Sequence, residues 1–217
     1  MSNLLAAAKA SNGFKGDFAF YRRYPKTAQA AEVLKDALSR LERNASAPGS
    51  GASGSVAVAS LVTIANFASQ YPKALPASVK KLTRQNLYYE ANKQLTDMWS
   101  SVSWCRTFVS EMLGSSQTST SCGSSQYRDK NVSAQLNHVL SLLPALRQPS
   151  SVRSIFSSLL DANAALASID SIMAAHGTKS NGNWTYTSSQ VYETRSYTDS
   201  LSSDLASAKA GLKKLKS

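Results

Sequence analysis

The chain has 217 residues, of which 42% are hydrophobic, and this composition is typical of a folded protein with a sizeable core. Its 24 Lys and Arg outnumber its 13 Asp and Glu, and the net charge of +11 favours acidic proteins, anionic lipid or nucleic acid as partners. No run of about eighteen apolar residues occurs, which excludes a membrane-spanning helix on length.

The residues before Pro25 combine aromatic and cationic side chains, a mixture that is common at protein interfaces. We interpret residues 1–50 as an N-terminal region that contains this arm, one helix and a Gly/Ser-rich linker, and residues 51–217 as a helical bundle. The arm also fits a hydrophobic lid on the bundle. Its residues predicted to contact a partner are Phe18, Tyr21, Arg22, Arg23 and Tyr24.

Apolar residues that recur three and four positions apart predict the first three helices. The first covers about residues 26–43 and the second residues 56–71. After a tight connection between Pro72 and Pro76, a long helix is predicted over residues 77–113. Its apolar residues alternate strictly by four and three, as in the seam of a packed helical bundle.

A basic turn consisting of Lys80, Lys81 and Arg84 begins the long helix. We predict that these cations contact an acidic partner, because charges at the rim of an interface increase the association rate and orient the partner. The alternative is that these cations only increase solubility and supply charge at the end of the helix. The sequence favours neither interpretation over the other.

The two cysteines, Cys105 and Cys122, have no metal-ligand spacing and are too few for a disulfide framework. The sequence permits one disulfide between them. It would close a Ser-rich segment, residues 114–126, in which no apolar periodicity occurs and which is therefore predicted to be a loop.

Three more helices are predicted after that loop. They cover about residues 132–146, bent by Pro144 and stopped by Pro149, residues 152–173, and the chain from about Thr187 onward. The segment HGTKSNGN, residues 176–183, is predicted to be a wide turn. The fold class expected is all-α: an antiparallel up-and-down bundle with a four-helix core, to which the two earlier helices and the arm are added.

No motif for catalysis or for a bound cofactor is present. His138 lies on a predicted helix and His176 at the start of the predicted wide turn, and neither has a carboxylate or cysteine three or four residues away, which disfavours a metal site. A phosphate-binding glycine loop is absent, and the carboxylates are sparse and scattered. We therefore expect a protein that is not an enzyme and that has no metal or cofactor.

Residues 60–95 read SLVTIANFASQYPKALPASVKKLTRQNLYYEANKQL. They resemble the closing helix pair of the small lumenal four-helix assembly factor of photosystem II. The matching positions are Ala65, Asn66, Ala68, Tyr71, Pro72, Pro76, Lys81, Leu82, Arg84, Glu90 and Ala91. The C-terminal part is more loosely similar to the PsbQ-type extrinsic subunit, at Arg153, Leu159, Leu166, Ile169, Asp170, Ala174, Ala175, Tyr192, Leu201, Leu205 and Leu212.

Both families consist of basic, non-catalytic helical bundles that dock on the lumenal side of the photosystem and protect or help assemble its oxygen-evolving site. The resemblance implies that this chain is an extrinsic or assembly subunit that docks electrostatically on a photosynthetic membrane complex. It also implies a location on the lumenal side of the thylakoid; without the resemblance, a soluble intracellular location is expected.

Two alternatives remain at this point. A phycobilisome-type linker protein would also be basic and helical, and Cys105 or Cys122 would then be able to carry a bilin. A basic helical nucleic-acid-binding protein is permitted by the charge, although the recognition motifs of known modules are absent.

Overall fold

The structure is a computed structural model, and it describes residues 28–46, 54–71, 75–113, 121–122, 130–176 and 179–216. Helices contain 86% of these residues, so the prediction of a mostly helical protein is confirmed. None of the described helices combines the length and apolar character needed to cross a bilayer. The elements are α1 (Ala28–Ser46), α2 (Gly54–Gln70), α3 (Ala77–Leu113), α4 (Lys130–Leu142), α5 (Ser150–Ala174), β1 (Lys179–Ser180), β2 (Asn183–Trp184) and α6 (Ser188–Lys216).

The chain divides into two compact units, each assembled from separate parts of the sequence. Unit 1 comprises residues 1–90 and 138–153, and unit 2 comprises residues 91–137 and 154–217. The helices α3, α4 and α5 each contribute to both units. The sequence-based division at residue 50 stays a prediction, since residues 47–53 lie outside the described part of the chain.

In unit 1, α1 packs against α2 through the apolar residues that predicted both helices. Spacings of three and four place such residues on one side of a helix, and burying that side stabilises the pair. The residues of α1 and α2 that are at most 1% exposed are Leu34, Leu38, Leu41, Leu61 and Ile64.

In unit 2, α5 and α6 supply most of the fully buried apolar side chains. Gly211 of α6 faces Ile155 of α5 at a distance that leaves no room for a side chain at position 211. The beginning of α6 is fixed by a capping box. The Thr187 hydroxyl accepts a hydrogen bond from the Gln190 N–H at 3.2 Å, and Gln190 Oε1 accepts one from the Thr187 N–H at 2.8 Å.

A tight hairpin replaces part of the wide turn predicted between α5 and α6. The strands β1 and β2 are antiparallel and pair Lys179 with Trp184. Asn181 and Gly182 connect them, with φ angles of 51° and 85°. Positive φ at both central residues is the signature of a type I′ turn, which Asn-Gly favours because these residues tolerate the left-handed region.

Candidate functional site

The basic turn lies on the first part of α3, in unit 1. Lys81 and Arg84 are exposed and Lys80 is half-buried, whereas Val79 and Thr83 are fully buried. Val79 and Thr83 are four residues apart and mark the side of α3 that faces the core, so Lys81 and Arg84 lie away from the core and Lys80 lies at its edge. The structure therefore presents them at the surface of this unit.

A second segment of unit 1 is attached to the basic turn through Gln148. Its side-chain amide donates a hydrogen bond to Thr83 Oγ1 at 3.2 Å, and the Thr83 hydroxyl donates to the Lys80 carbonyl at 2.9 Å. Arg147, the residue before Gln148, is exposed and is thereby brought to the same end of unit 1. We call Lys80, Lys81, Arg84 and Arg147 the basic cluster.

Arg147 has a left-handed backbone conformation, which is found mostly at glycine. Its N–H donates to the Pro144 carbonyl at 3.0 Å, and the N–H of Gln148 donates to the Leu143 carbonyl at 3.1 Å. This pair of bonds is the Schellman ending of a helix, in which the residue after the last helical one adopts the left-handed conformation. Arg147 has φ of 52°, a conformation that costs a residue with a side chain about 1–2 kcal/mol.

No carboxylate neutralises the basic cluster from within its own segments. Residues 75–89 and 138–153 contain the cluster, Arg153 and no Asp or Glu. Two ion pairs of the described part of unit 1 lie on α1, between Lys35 and Glu32 and between Arg40 and Asp36. The side chains of the cluster have no hydrogen-bond or ion-pair partner among the described residues, so their positive charge faces solvent.

The other predicted interface lies outside the described residues. This is the aromatic and basic arm, with Phe18, Tyr21, Arg22, Arg23 and Tyr24. Its contact with a partner stays a prediction.

Cys105 and Cys122 are joined in a disulfide in unit 2, with 4.8 Å between their Cα atoms. The carboxylate of Asp170, on α5, accepts hydrogen bonds from the Cys122 N–H and the Ser121 hydroxyl, both at 3.0 Å. Because neither cysteine has a free thiol in this state, neither is available to carry a bilin. The phycobilisome-type alternative, which does not depend on a bilin, stays a prediction.

A pocket of about 440 Å³ lies in unit 2, beside the hairpin and the beginning of α6. Aromatic rings and one cation line much of it, and the nearly buried Met112 and Val191 add apolar surface. No periodicity or motif in the sequence indicated this site. We call it the aromatic pocket, and its principal lining residues are Met112, Trp184, Tyr186, Val191, Tyr192 and Arg195.

Neighbouring groups hold two of the rings of the aromatic pocket in place. The Tyr186 hydroxyl donates to the Met173 carbonyl at 3.0 Å, and burial raises the pKa of this phenol, which favours the neutral form. His176 stacks on Trp184 with 3.3 Å between ring centroids, and Lys179 Nζ lies 5.3 Å from the Trp184 ring centroid. Both rings are therefore oriented before any ligand arrives.

Neither histidine belongs to a metal site in the part of the chain that the structure describes. His138 is exposed on α4, and His176 makes the stacking contact with Trp184. The described residues contain no group of three His, Cys, Asp or Glu side chains placed to hold a metal ion.

Comparisons with known proteins returned no match for this chain among family models, curated proteins or solved structures. The resemblance of residues 60–95 to the photosystem II assembly factor therefore stays a prediction, as does the looser C-terminal one.

Proposed function

We propose that the protein is a non-catalytic docking subunit that binds an acidic protein surface through the basic cluster of unit 1. The observation that carries this proposal is the bond from Gln148 to Thr83, which brings Arg147 to a helix end that already carries Lys80, Lys81 and Arg84. Neighbouring unpaired cations produce a positive potential that attracts and orients an acidic partner.

We expect the basic cluster to reduce the stability of the isolated protein, which supports a role beyond folding. Lys80 and Arg84 are one turn apart, and like charges at that spacing destabilise a helix by about 0.2–0.5 kcal/mol. Arg147 adds the cost of its left-handed backbone. Local conflicts of this kind, which no contact with another described residue offsets here, are expected at functional sites.

The partner that we propose is a photosynthetic membrane complex of the photosystem II type, with this protein on the lumenal side of the thylakoid. Its support is the sequence resemblance of residues 60–95, in which Lys81 and Arg84 are matching positions. The disulfide supports an oxidising compartment, since disulfides are rare in the cytosol. In this proposal α3, α4, α5 and α6 form the antiparallel four-helix core.

Charge reversal of the basic turn tests the docking function. In the variant Lys80→Glu/Lys81→Glu/Arg84→Glu, we expect affinity for photosynthetic membranes at low salt to fall at least about tenfold. In ~1 M salt the two proteins should sediment equally little with the membranes, because charges are then screened beyond about 3 Å. The melting temperature should change little, since these side chains have no described partner.

A control variant separates local docking from net charge. Lys209→Glu/Lys213→Glu/Lys214→Glu makes the same change in charge on α6, in unit 2, and should retain membrane binding. An equal loss in both variants would mean that only total charge matters and would contradict a docking site on unit 1. Tighter binding of the wild-type protein to generic duplex DNA than to membranes, at ~0.15 M salt, would assign the cluster to nucleic acid instead.

A further inference from the structure

The aromatic pocket has the size and the walls of a small-molecule site. Ligand pockets are typically about 300–1,000 Å³ and are lined by aromatic and apolar side chains with a few polar groups. The volume of about 440 Å³ lies within that range. The exposed ring of Tyr192 offers a flat apolar surface on which a planar ligand is able to stack, and Trp184, whose ring already contacts His176 and Lys179, adds apolar wall beside it.

The ring of Tyr192 contributes little to the core of unit 2. Its side chain is 74% exposed, although it stands one residue after the buried Val191 on α6. Trp99, another exposed aromatic residue of this unit, is partly covered by Lys209, whose Nζ lies 5.2 Å from the ring centroid. Tyr192 has no such contact with any residue that the structure describes, so its apolar surface remains available to a ligand.

The charge of the aromatic pocket selects an anion. Arg195 is exposed and lines the pocket, and its guanidinium has no hydrogen-bond or ion-pair partner among the described residues. Among the residues that the structure describes, no Asp or Glu lines the pocket, and Glu193, two residues before Arg195, accepts a hydrogen bond from the Ser189 hydroxyl at 3.2 Å. A guanidinium forms two parallel hydrogen bonds with a carboxylate, which fixes the orientation of the ligand.

The pocket is also oriented in advance. The carbonyl of Met173 holds the Tyr186 hydroxyl, and His176 holds the Trp184 ring. Binding to side chains that are already fixed loses less conformational entropy and so strengthens affinity. We propose that the aromatic pocket binds a small planar carboxylate, an aromatic acid whose ring stacks on Tyr192 beside Trp184 and whose carboxylate pairs with Arg195.

Two probes of nearly equal shape test this proposal: 2-naphthoate, which is an anion, and 2-naphthamide, which is neutral. The chain has three tryptophans, so the ¹H–¹⁵N spectrum of the full chain should contain three indole signals, assigned with Trp99→Phe and Trp104→Phe. We expect 2-naphthoate to shift the Trp184 signal with a dissociation constant below ~1 mM, and 2-naphthamide to bind at least about tenfold more weakly.

Three variants locate the contacts. Arg195→Gln should reduce the affinity for 2-naphthoate to that for 2-naphthamide, whereas Arg153→Gln, which removes an unpaired cation from unit 1, should leave both affinities unchanged. Tyr192→Ala removes an exposed ring and should lower the affinity for both probes. Its ¹H–¹⁵N spectrum should remain that of the folded protein.

Other outcomes would overturn the proposal. They are an unshifted Trp184 signal, equal affinity for the two probes, and equal losses in Arg195→Gln and Arg153→Gln. Tighter binding of an acidic tryptophan-containing peptide than of 2-naphthoate would assign the pocket to a segment of a protein partner.

Discussion

The side-chain amide of Asn86 donates a hydrogen bond to the backbone carbonyl of Leu41 at 2.9 Å and thereby joins α3 to α1. The same nitrogen donates to the Leu82 carbonyl at 2.9 Å, and Oδ1 accepts from Asn44 Nδ2 at 2.7 Å. Asn86 is fully buried, and both of its N–H groups and its oxygen are used. A satisfied polar group within an apolar core fixes the axial position of one helix against another, because sliding would leave it unpaired.

Asn86→Leu should destabilise unit 1 by about 1–3 kcal/mol, since it leaves the Leu41 carbonyl and Asn44 without this partner. Asn86→Asp should cost more, because a carboxylate cannot donate to either carbonyl. Denaturant unfolding followed by circular dichroism measures the change. Asn137→Leu, at an exposed position, serves as the control and should be nearly neutral. Wild-type stability of Asn86→Leu would show that these bonds do not stabilise the fold.

Gly211→Ala should destabilise the protein although alanine is the better helix former. A methyl group at position 211 would lie 2.6 Å from Ile155 Cγ1 and 3.3 Å from its Cδ1. Ile155 is 2% exposed and has little space to move, so we expect a loss of about 1–3 kcal/mol. Thermal melting of the variant measures it.

The double variant Gly211→Ala/Ile155→Ala separates the clash from other effects of the alanine. Ile155→Ala alone creates a cavity, and the new methyl group partly fills it. The double variant should therefore be more stable than Ile155→Ala alone, so that the effect of Gly211→Ala reverses its sign. The same sign in both backgrounds would contradict the close contact.

Arg147→Gly should stabilise the protein and weaken its docking at the same time. Glycine adopts the left-handed conformation without the steric cost, so the melting temperature should rise, corresponding to about 0.5–1 kcal/mol. The loss of one cation should lower membrane binding at low salt. Arg147→Ala is the matched control: it removes the same charge, keeps the backbone cost and should lower binding without the gain in stability. Undiminished binding of both variants would remove Arg147 from the basic cluster.

Asp204→Asn should stabilise the protein near pH 7 more than near pH 3. Burial raises the pKa of the Asp204 carboxyl, the hydrogen bond from Ser200 lowers it and the charge of Asp161 raises it, with a net upward shift. A raised folded-state pKa gives stability that is fully present below the ordinary carboxyl pKa of about 3.9 and is lost as the pH rises through the raised value. Melting temperatures across this pH range measure the difference.

Ser200→Ala tests the assigned cause of that shift. The Ser200 hydroxyl donates to Asp204 Oδ2 at 3.3 Å and favours the charged form. Without this bond the pKa of Asp204 should rise further, and the gain from Asp204→Asn at pH ~7 should become larger. A gain that does not depend on pH would contradict the shift.

Helical spacing predicted α3 and α5 closely. Apolar residues that recur three and four positions apart over many turns lie on one side of the chain only if it forms an α-helix. The expected bounds of α3 were 77–113, as in the structure. The helix before Pro149 was expected to continue to residue 146, but regular α4 ends at Leu142. Pro144 has no N–H to donate to the carbonyl of Leu140, which interrupts the ladder before the Leu146 N–H resumes it by donating to the Leu142 carbonyl at 3.0 Å.

Long-range contacts explain what sequence reasoning missed. Lys80, Lys81 and Arg84 were visible as a local charge cluster, whereas Arg147 joins them only through the bond from Gln148 to Thr83. Strands of two residues are too short to show alternation, although Asn181-Gly182 was a usable signal for the hairpin. The aromatic pocket gathers residues from α3, β2 and α6, and no periodicity predicts that they meet.

The disulfide between Cys105 and Cys122 has a consequence for how the chain tolerates damage. It encloses the 16 intervening residues, 106–121, in a covalent ring. A single peptide-bond cleavage within that ring opens it but does not separate the two fragments, which stay attached through sulfur. Release of the fragments would then require both a protease and a reductant, so a nicked molecule in an oxidising compartment would keep all of its helices in one covalent piece.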